Sequence, residues 1–181
     1  MSGGVTHYDV MPIPPTPSQT RWFEAGAVSF GVEYRLLNDA IAAAHVGEAA
    51  VGNDASDGPV LEDCGVSIHV CDNRGATPVE HLRFDCFEED PHYHYISWHD
   101  KSNDMVHIDP IADGDPLSWT LDRIRTRLPQ MLRRAGAEPL VSELDPDLLE
   151  KVLPRVAEAA YRARYQHDDT RVLADALGGG A

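Results

Sequence analysis

Histidines and aspartates that could bind a metal ion are concentrated in one short stretch of the chain. The stretch FDCFEEDPHYHYISWHDKSNDMVHIDP contains four of the nine histidines. Neutral imidazoles and carboxylates are ligands for zinc, iron and manganese. The candidate metal ligands are His92, His94, His107 and Asp109. Just before them in the chain, Arg83 and Asp85 are the candidates for a catalytic role.

Strand alternation predicts that these side chains share one face of a sheet. Residues i and i+2 of a strand point to the same side, so His92 and His94 project together. The turns at EEDP and DKSND then pair His94 with Asp85 on one side and with Asp109 on the other. His107 lies near this row. A slip of one residue at either turn would move a whole strand to the other face.

Five segments have the alternating pattern of half-buried strands and are joined by turns. They comprise residues 27–37, 63–72, 79–87, 92–98 and 105–111. Apolar residues fall on one side of each strand and polar residues on the other. The sequence therefore predicts an antiparallel meander of about five strands with one dry face.

The C-terminal third changes to helical periodicity. Two helices begin at Asp-Pro pairs, at 115–116 and 145–146, where the aspartate caps the helix and proline takes its first position. Pro129 and Pro154 lie inside these helices and are expected to kink or split them. Packing the helices on the dry face of the sheet gives a two-layer α+β fold.

The domain organisation follows from composition along the chain. Residues 1–20 are expected to form an extended Pro-rich arm, residues 21–166 a single α+β domain, and residues 167–181 a flexible tail. Inside the domain, residues 38–59 predict a short Ala-rich helix followed by a polar loop.

Charge and composition exclude several classes of protein. The net charge of -15 repels phosphate backbones, so nucleic-acid binding is not expected. The N-terminus lacks the pattern of a signal peptide, and no apolar run is long enough to span a membrane. The three cysteines lack metal-site spacing and are expected to be buried thiols. A cytoplasmic protein is expected, whose partner is a small-molecule ligand or a protein, a second copy of this chain included.

Two short motifs carry a resemblance to known families. The stretch LRFDCFEEDPHYHYI, followed by HID and a helix with LDRIRTRLPQML, resembles uncharacterised bacterial domains of unknown function. It is also similar to TumE-type toxins of toxin–antitoxin pairs, over about residues 27–135. This chain differs in the insertion CFEED between Asp85 and Pro91, and no catalytic residue is carried over.

Two functional hypotheses remain open. A His/Asp site on the open face of the sheet would bind a divalent metal or a small ligand. Such a metal would support hydrolysis or an oxygen-dependent reaction. The alternative is a non-catalytic interaction module, either a toxin–antitoxin component or an accessory subunit. In that case the histidines are solvated polar residues of the wet face, where His–Asp pairs contribute little.

Overall fold

The computed structural model describes residues 4–38, 41 and 62–178. Within them the chain forms seven strands and five helices. The strands are β1 (Val5–Tyr8), β2 (Arg21–Ala25), β3 (Val28–Asn38), β4 (Glu62–Asp72), β5 (Val79–Phe87), β6 (His92–Ser97) and β7 (Ser102–His107). The helices are α1 (Pro110–Asp113), α2 (Pro116–Arg134), α3 (Glu138–Val141), α4 (Pro146–Tyr165) and α5 (Asp169–Ala176).

The strands form one antiparallel sheet in the order β1-β7-β6-β5-β4-β3-β2. Strands β3 to β7 are the five predicted strands, in a meander, so the α+β class and the antiparallel sheet are confirmed. The predicted strand count is wrong because β1 and β2 add one strand at each edge. These strands are only four and five residues long, and their pairing partners lie far away or across a tight turn.

The helices cover one face of the sheet, where the apolar side chains of alternate strand positions form the core. Helix α2 packs against β5, and α4 packs against β2, β3 and β4. The core residues Phe30, Ile68 and Phe84 of the central strands are completely buried beneath them. Burial of this apolar face is the main driving force for the fold.

Both Asp-Pro pairs begin helices as predicted. The carboxylates of Asp115 and Asp145 accept hydrogen bonds from backbone N–H groups of the first turn. Pro129 and Pro154 lie inside α2 and α4, and neither proline splits its helix. Packing of the apolar stripe on the sheet offsets the backbone hydrogen bond that each proline removes.

The N-terminal segment crosses the polar face of the sheet. Strands β1 and β2 lie at opposite edges, and residues 9–20, here called the strap, connect them. The guanidinium of Arg35 donates to the carbonyl of Ile13 at 3.4 Å, and Thr16 N–H donates to Glu33 at 3.1 Å. The polar face is therefore covered, whereas the sequence predicted an open one.

The C-terminal region contains a helix where a flexible tail was expected. Asp168 caps α5, Val172 is buried, and the ring of His167 stacks on Tyr34 at 3.6 Å between centroids. These contacts attach the helix to β3. The helix and loop predicted for residues 38–59 lie almost wholly outside the described residues. Among the described residues, no helix combines the length and hydropathy that a membrane crossing requires.

Candidate metal centre

Polar side chains line up in one row across five strands on the covered polar face. Pairing from β3 to β7 brings together Glu33, Ser67, Asp85, His92 and His107. His94 lies in the next row, opposite Arg83. The prediction that Asp85, His92, His94 and His107 share a face is therefore correct.

The predicted strand registers are wrong. Asp85 pairs with His92 rather than with His94, and His94 pairs with Met105 rather than with Asp109. Both shifts are even numbers of residues, so each side chain keeps its face although it changes its neighbour. Between β6 and β7 the pairing continues to Ser97 and Ser102, closer to the turn than predicted, whereas between β5 and β6 it stops at Asp85 and His92, farther from the turn than predicted.

Asp85, His92 and His94 form a compact group of potential metal ligands. The Oδ2 atom of Asp85 lies 3.4 Å from Nε2 of His92 and 3.3 Å from Nε2 of His94. Tetrahedral ligands at about 2.1 Å from a zinc ion are separated from one another by roughly 3.4 Å. All three residues are buried, and the group could hold a metal ion.

The second ring nitrogen of each histidine is held by an oxygen acceptor. Nδ1 of His92 donates to the backbone carbonyl of Asp90 at 2.7 Å, and Nδ1 of His94 donates to Oδ1 of Asn103 at 2.8 Å. The Asn103 amide is oriented by its Nδ2, which donates to the carbonyl of Val10 in the strap at 2.8 Å. In the neutral form of each ring, the lone pair is therefore on Nε2, facing Asp85. Metal-binding imidazoles are oriented in this manner.

Burial and charge act in opposite directions on this group. Burial raises the pKa of Asp85, but hydrogen bonds from His92 and His94 outweigh it and hold that pKa well below its ordinary value. Burial lowers the pKa of His92, but the bond to Asp85 outweighs it and the pKa is raised. The other carboxylate oxygen of Asp85 accepts a hydrogen bond from Ser67. The position between Nε2 and Oδ2 thus favours positive charge, from a proton or from a metal ion.

His107 and Asp109 lie outside this group. Nδ1 of His107 is 2.7 Å from Oδ1 of Asp90, and its ring centroid is 6.4 Å from that of His92. Asp109 caps α1, because its Oδ1 accepts from the backbone N–H of Ile111 at 3.0 Å. His107 is a neighbour of the centre, and Asp109 has a structural role at a helix start.

Arg83 belongs to a second cluster on the polar face, the ionic network, formed by Glu33, Arg35, His69, Glu80 and Arg83. Arg83 binds Glu80 with both Nε (2.9 Å) and Nη2 (2.7 Å). His69 lies between two carboxylates, with Nδ1 2.5 Å from Glu80 and Nε2 2.8 Å from Glu33. Arg35 lies 3.6 Å from Glu33. Arg83 therefore acts on Asp85 through its charge rather than by direct contact.

Glu80 joins the network because of a β-bulge. The pairing of β4 with β5 shifts between Val70 and Cys71, so that Cys71 pairs with Glu80 instead of His81. Simple alternation would put Glu80 on the same face as Leu82, in the apolar core. The bulge moves its carboxylate to the polar face, beside His69.

The turn before β6 is organised by Asp63, which the sequence analysis did not identify. Its carboxylate accepts hydrogen bonds from the backbone N–H groups of Cys64, Glu88, Glu89 and Asp90, at 2.8–3.1 Å. Asp90 in turn holds Nδ1 of both His92 and His107. Asn103 was also missed, although its spacing of four residues from His107 places it on the same face of β7.

The solvent exposure of the polar side chains increases across the sheet from β3 to β7. Glu33 at one end is 1% exposed, whereas the His107 side chain at the other end is 42% exposed. His92 and His94, between them, are each 8% exposed. Solvent and small ligands therefore approach the centre from the β7 side.

A family profile described as "Domain of unknown function (DUF7700)" matches residues 22–160, so the chain belongs to that family. The match covers β2 to β7 and most of α4, and it includes every residue of the candidate centre except the strap carbonyl. No curated protein and no solved structure matches the chain. The predicted similarity to an uncharacterised family is confirmed, and the predicted similarity to TumE-type toxins finds no support in these matches.

Proposed function

We propose that Asp85, His92 and His94 bind one divalent transition metal, for which zinc, iron(II) and manganese(II) are the candidates. One observation carries the proposal: both Nε2 atoms converge on one oxygen of Asp85 while both Nδ1 atoms are bound to acceptors. Two neutral imidazole lone pairs directed at a carboxylate repel it unless a proton or a metal ion lies between them, and a metal ion can satisfy all three ligand atoms at once.

The ligand set indicates the chemistry that the metal would support. Two histidines and one carboxylate occur in catalytic zinc sites and in mononuclear non-haem iron sites. Three protein ligands leave coordination positions for water or substrate. A metal in such a site activates water for hydrolysis or, when it is iron, binds oxygen. The metal centre is thus proposed as the reactive part of the protein.

The decisive experiment is metal binding to protein purified without a His-tag. The protein is stripped with a chelator, loaded with Zn²⁺, Fe²⁺ or Mn²⁺, dialysed and analysed for metal and protein content. We expect about one equivalent of one of these metals in the wild type. His94→Gln should lose most of it, because this change removes one of three protein ligands.

His107→Gln is the matched control, since His107 lies on the same face and next to His92 but outside the ligand group. It should retain the metal. Loading below about a tenth of an equivalent with all three metals would refute the metal centre, and the cluster would then be a buried His–Asp ion pair. Equal loss in both variants would refute the assignment of the ligands.

A further inference from the structure

A groove of about 300 Å³ lies on the opposite face of the sheet, between α2 and β6. Tyr93 and Tyr95 of β6 form its floor. Trp119 and three arginines of one helix stripe, Arg123, Arg127 and Arg134, line its wall. The groove is separate from the candidate metal centre, because alternate residues of β6 point to opposite faces.

Two of the arginines are held in place by aromatic rings. The guanidinium of Arg134 lies 4.2 Å from the ring centroid of Tyr95, and that of Arg123 lies 5.1 Å from the ring of Trp119. Stacking occupies the flat face of a guanidinium and leaves its N–H donors free in the plane. The groove therefore presents oriented donors, which suit carboxylate or phosphate oxygens.

Arg127 and Arg134 form no ion pair with any described residue. On the same helix, by contrast, Arg125 pairs with Asp122 at 2.7 Å and Arg133 pairs with Glu138 at 3.2 Å. The chain has 30 acidic residues against 15 lysines and arginines, so carboxylate partners are abundant. Two arginines without an acidic partner among the described residues of such an acidic protein mark a surface complementary to an external anion.

Acidic side chains also lie close to the groove. Asp122 accepts a hydrogen bond from Nη1 of Arg123 at 3.2 Å, so the charge of Arg123 is partly neutralised. Asp104 pairs with Tyr95 across β6 and β7, and its carboxylate is bound to His7 at 2.7 Å. The hydrogen bond with His7 reduces the repulsion that this carboxylate would exert on an incoming anion.

We propose that this groove binds a short acidic segment of a partner protein. The three arginine positions span roughly 16 Å along the helix, which is more than one small anion can reach. Alternate side chains of an extended peptide are about 6.6 Å apart, close to the roughly 6 Å rise between positions 123 and 127. The net charge of -15 repels every polyanion, and this repulsion grows with the number of charges on the ligand, so a short acidic segment is disfavoured less than a long polyanion such as RNA.

Fluorescence anisotropy with a fluorescein-labelled oligoglutamate tests the proposal, with oligoglutamine of the same length as the neutral probe. We expect saturable binding of the oligoglutamate alone, weakened by added salt. The double variant Arg127→Gln/Arg134→Gln should bind it at least about tenfold more weakly, because two charge-assisted contacts are lost.

The control is Arg125→Gln/Arg133→Gln, which removes the same charge from the same helix but outside the groove. It should change affinity less than about twofold. Equal weakening by both double variants, or no saturable binding by the wild type, would overturn the proposal. Tighter competition by inorganic polyphosphate or single-stranded DNA than by unlabelled oligoglutamate would overturn the assignment to a protein partner. Circular dichroism of both variants confirms that these exposed substitutions leave the fold intact.

Discussion

At the scale of single residues, hydrogen bonds behind the histidines determine what the candidate centre can do. His92 and His94 would be ordinary strand residues if their Nδ1 atoms faced solvent. The carbonyl of Asp90 and the amide of Asn103 instead select the tautomer that directs Nε2 towards Asp85. Asp109, by contrast, was predicted from the sequence to be a metal ligand, but its carboxylate caps the N-terminus of α1.

Replacement of Asn103 by leucine should weaken Zn²⁺ binding by about 10- to 100-fold, the usual effect of removing such a supporting hydrogen bond. Leucine has a similar size but cannot accept from Nδ1 of His94. Competition with a chromophoric chelator measures the affinity. Asn103→Asp is the control, because its carboxylate still accepts that hydrogen bond. Unchanged affinity in the leucine variant would show that Asn103 does not orient the ligand.

The ionic network predicts an optimum in stability at mildly acidic pH. Burial lowers the pKa of His69, but Glu80 and Glu33 outweigh it and the pKa is raised above its ordinary value of 6.5. Burial raises the pKa of Glu80, but Arg83 and His69 lower it to about 2, from an ordinary 4.5. The charged form of His69 stabilises the folded state fully below pH 6.5, and this contribution to the free energy of unfolding is lost as the pH rises through the raised pKa. Stability from Glu80 is complete above pH 4.5 and lost as pH falls towards 2.

Urea unfolding across pH 2 to 9 measures this dependence on pH. The free energy of unfolding should be highest between the two limits. Glu80→Gln should lower it by about 3–5 kcal/mol, since it leaves buried cations without their partner. In this variant the free energy of unfolding should also fall less steeply between pH 4.5 and pH 2 than it does in the wild type. A wild-type stability that continued to increase above pH 7 would contradict a charged His69.

At the scale of elements, the strap turns an exposed polar face into a buried one. It contributes the Val10 carbonyl to Asn103, main-chain carbonyls to Arg35 and an N–H to Glu33. Such a crossing requires room above the strands. At Gly31 a Cβ atom would lie 2.8 Å from side-chain atoms of both Thr20 and Trp22, so any larger residue requires these side chains at the end of the strap to shift.

Gly31→Ala should therefore destabilise the protein by about 1–3 kcal/mol, the cost of overpacking a close contact. Gly75→Ala is the control, because its nearest neighbour would be 3.5 Å away. Chemical denaturation gives the free energies, and hydrogen exchange of Thr16 N–H reports whether the strap has loosened. Equal stability of the two variants would mean that the strap does not press on Gly31.

At the scale of the whole molecule, the two faces of the sheet have different roles. One face holds the apolar core and the helices, and the other holds two charged clusters beneath the strap. The candidate metal centre draws its residues from β5 and β6, with supporting groups from β4, β7 and the strap. Binding an ion there would link these elements and stabilise the folded state as a whole.

Metal should raise the melting temperature accordingly. At a free concentration of Zn²⁺ near one hundred times the dissociation constant, the stabilisation is about 2.7 kcal/mol. For a protein of this size the melting temperature rises by about 2–4 °C per kcal/mol, giving roughly 5–10 °C. Differential scanning calorimetry with Zn²⁺ and with a chelator measures the difference. The melting temperature of the His94→Gln variant should rise little with Zn²⁺. A rise equal to that of the wild type would mean that the ion binds elsewhere.

Sequence patterns alone were enough to predict the five central strands, the two long helices and the face on which most of the strand side chains lie. Alternation in residues 79–87 and 92–98 and the Asp-Pro helix starts are local signals, because they follow from backbone geometry. They were sufficient to predict the α+β class and to place Asp85, His92 and His94 on one polar face.

Which of these residues contact one another depends on the three-dimensional packing of the chain. Register depends on turn geometry and on contacts between distant segments, so Asp85 faces His92 and Asp109 falls outside the group. The bulge that brings Glu80 to His69 shifts alternation at a point that no local pattern reveals. The strap covers the polar face because two edge strands pair at opposite sides of the sheet. Those pairings depend on the packing of the whole chain, which a single sequence does not display.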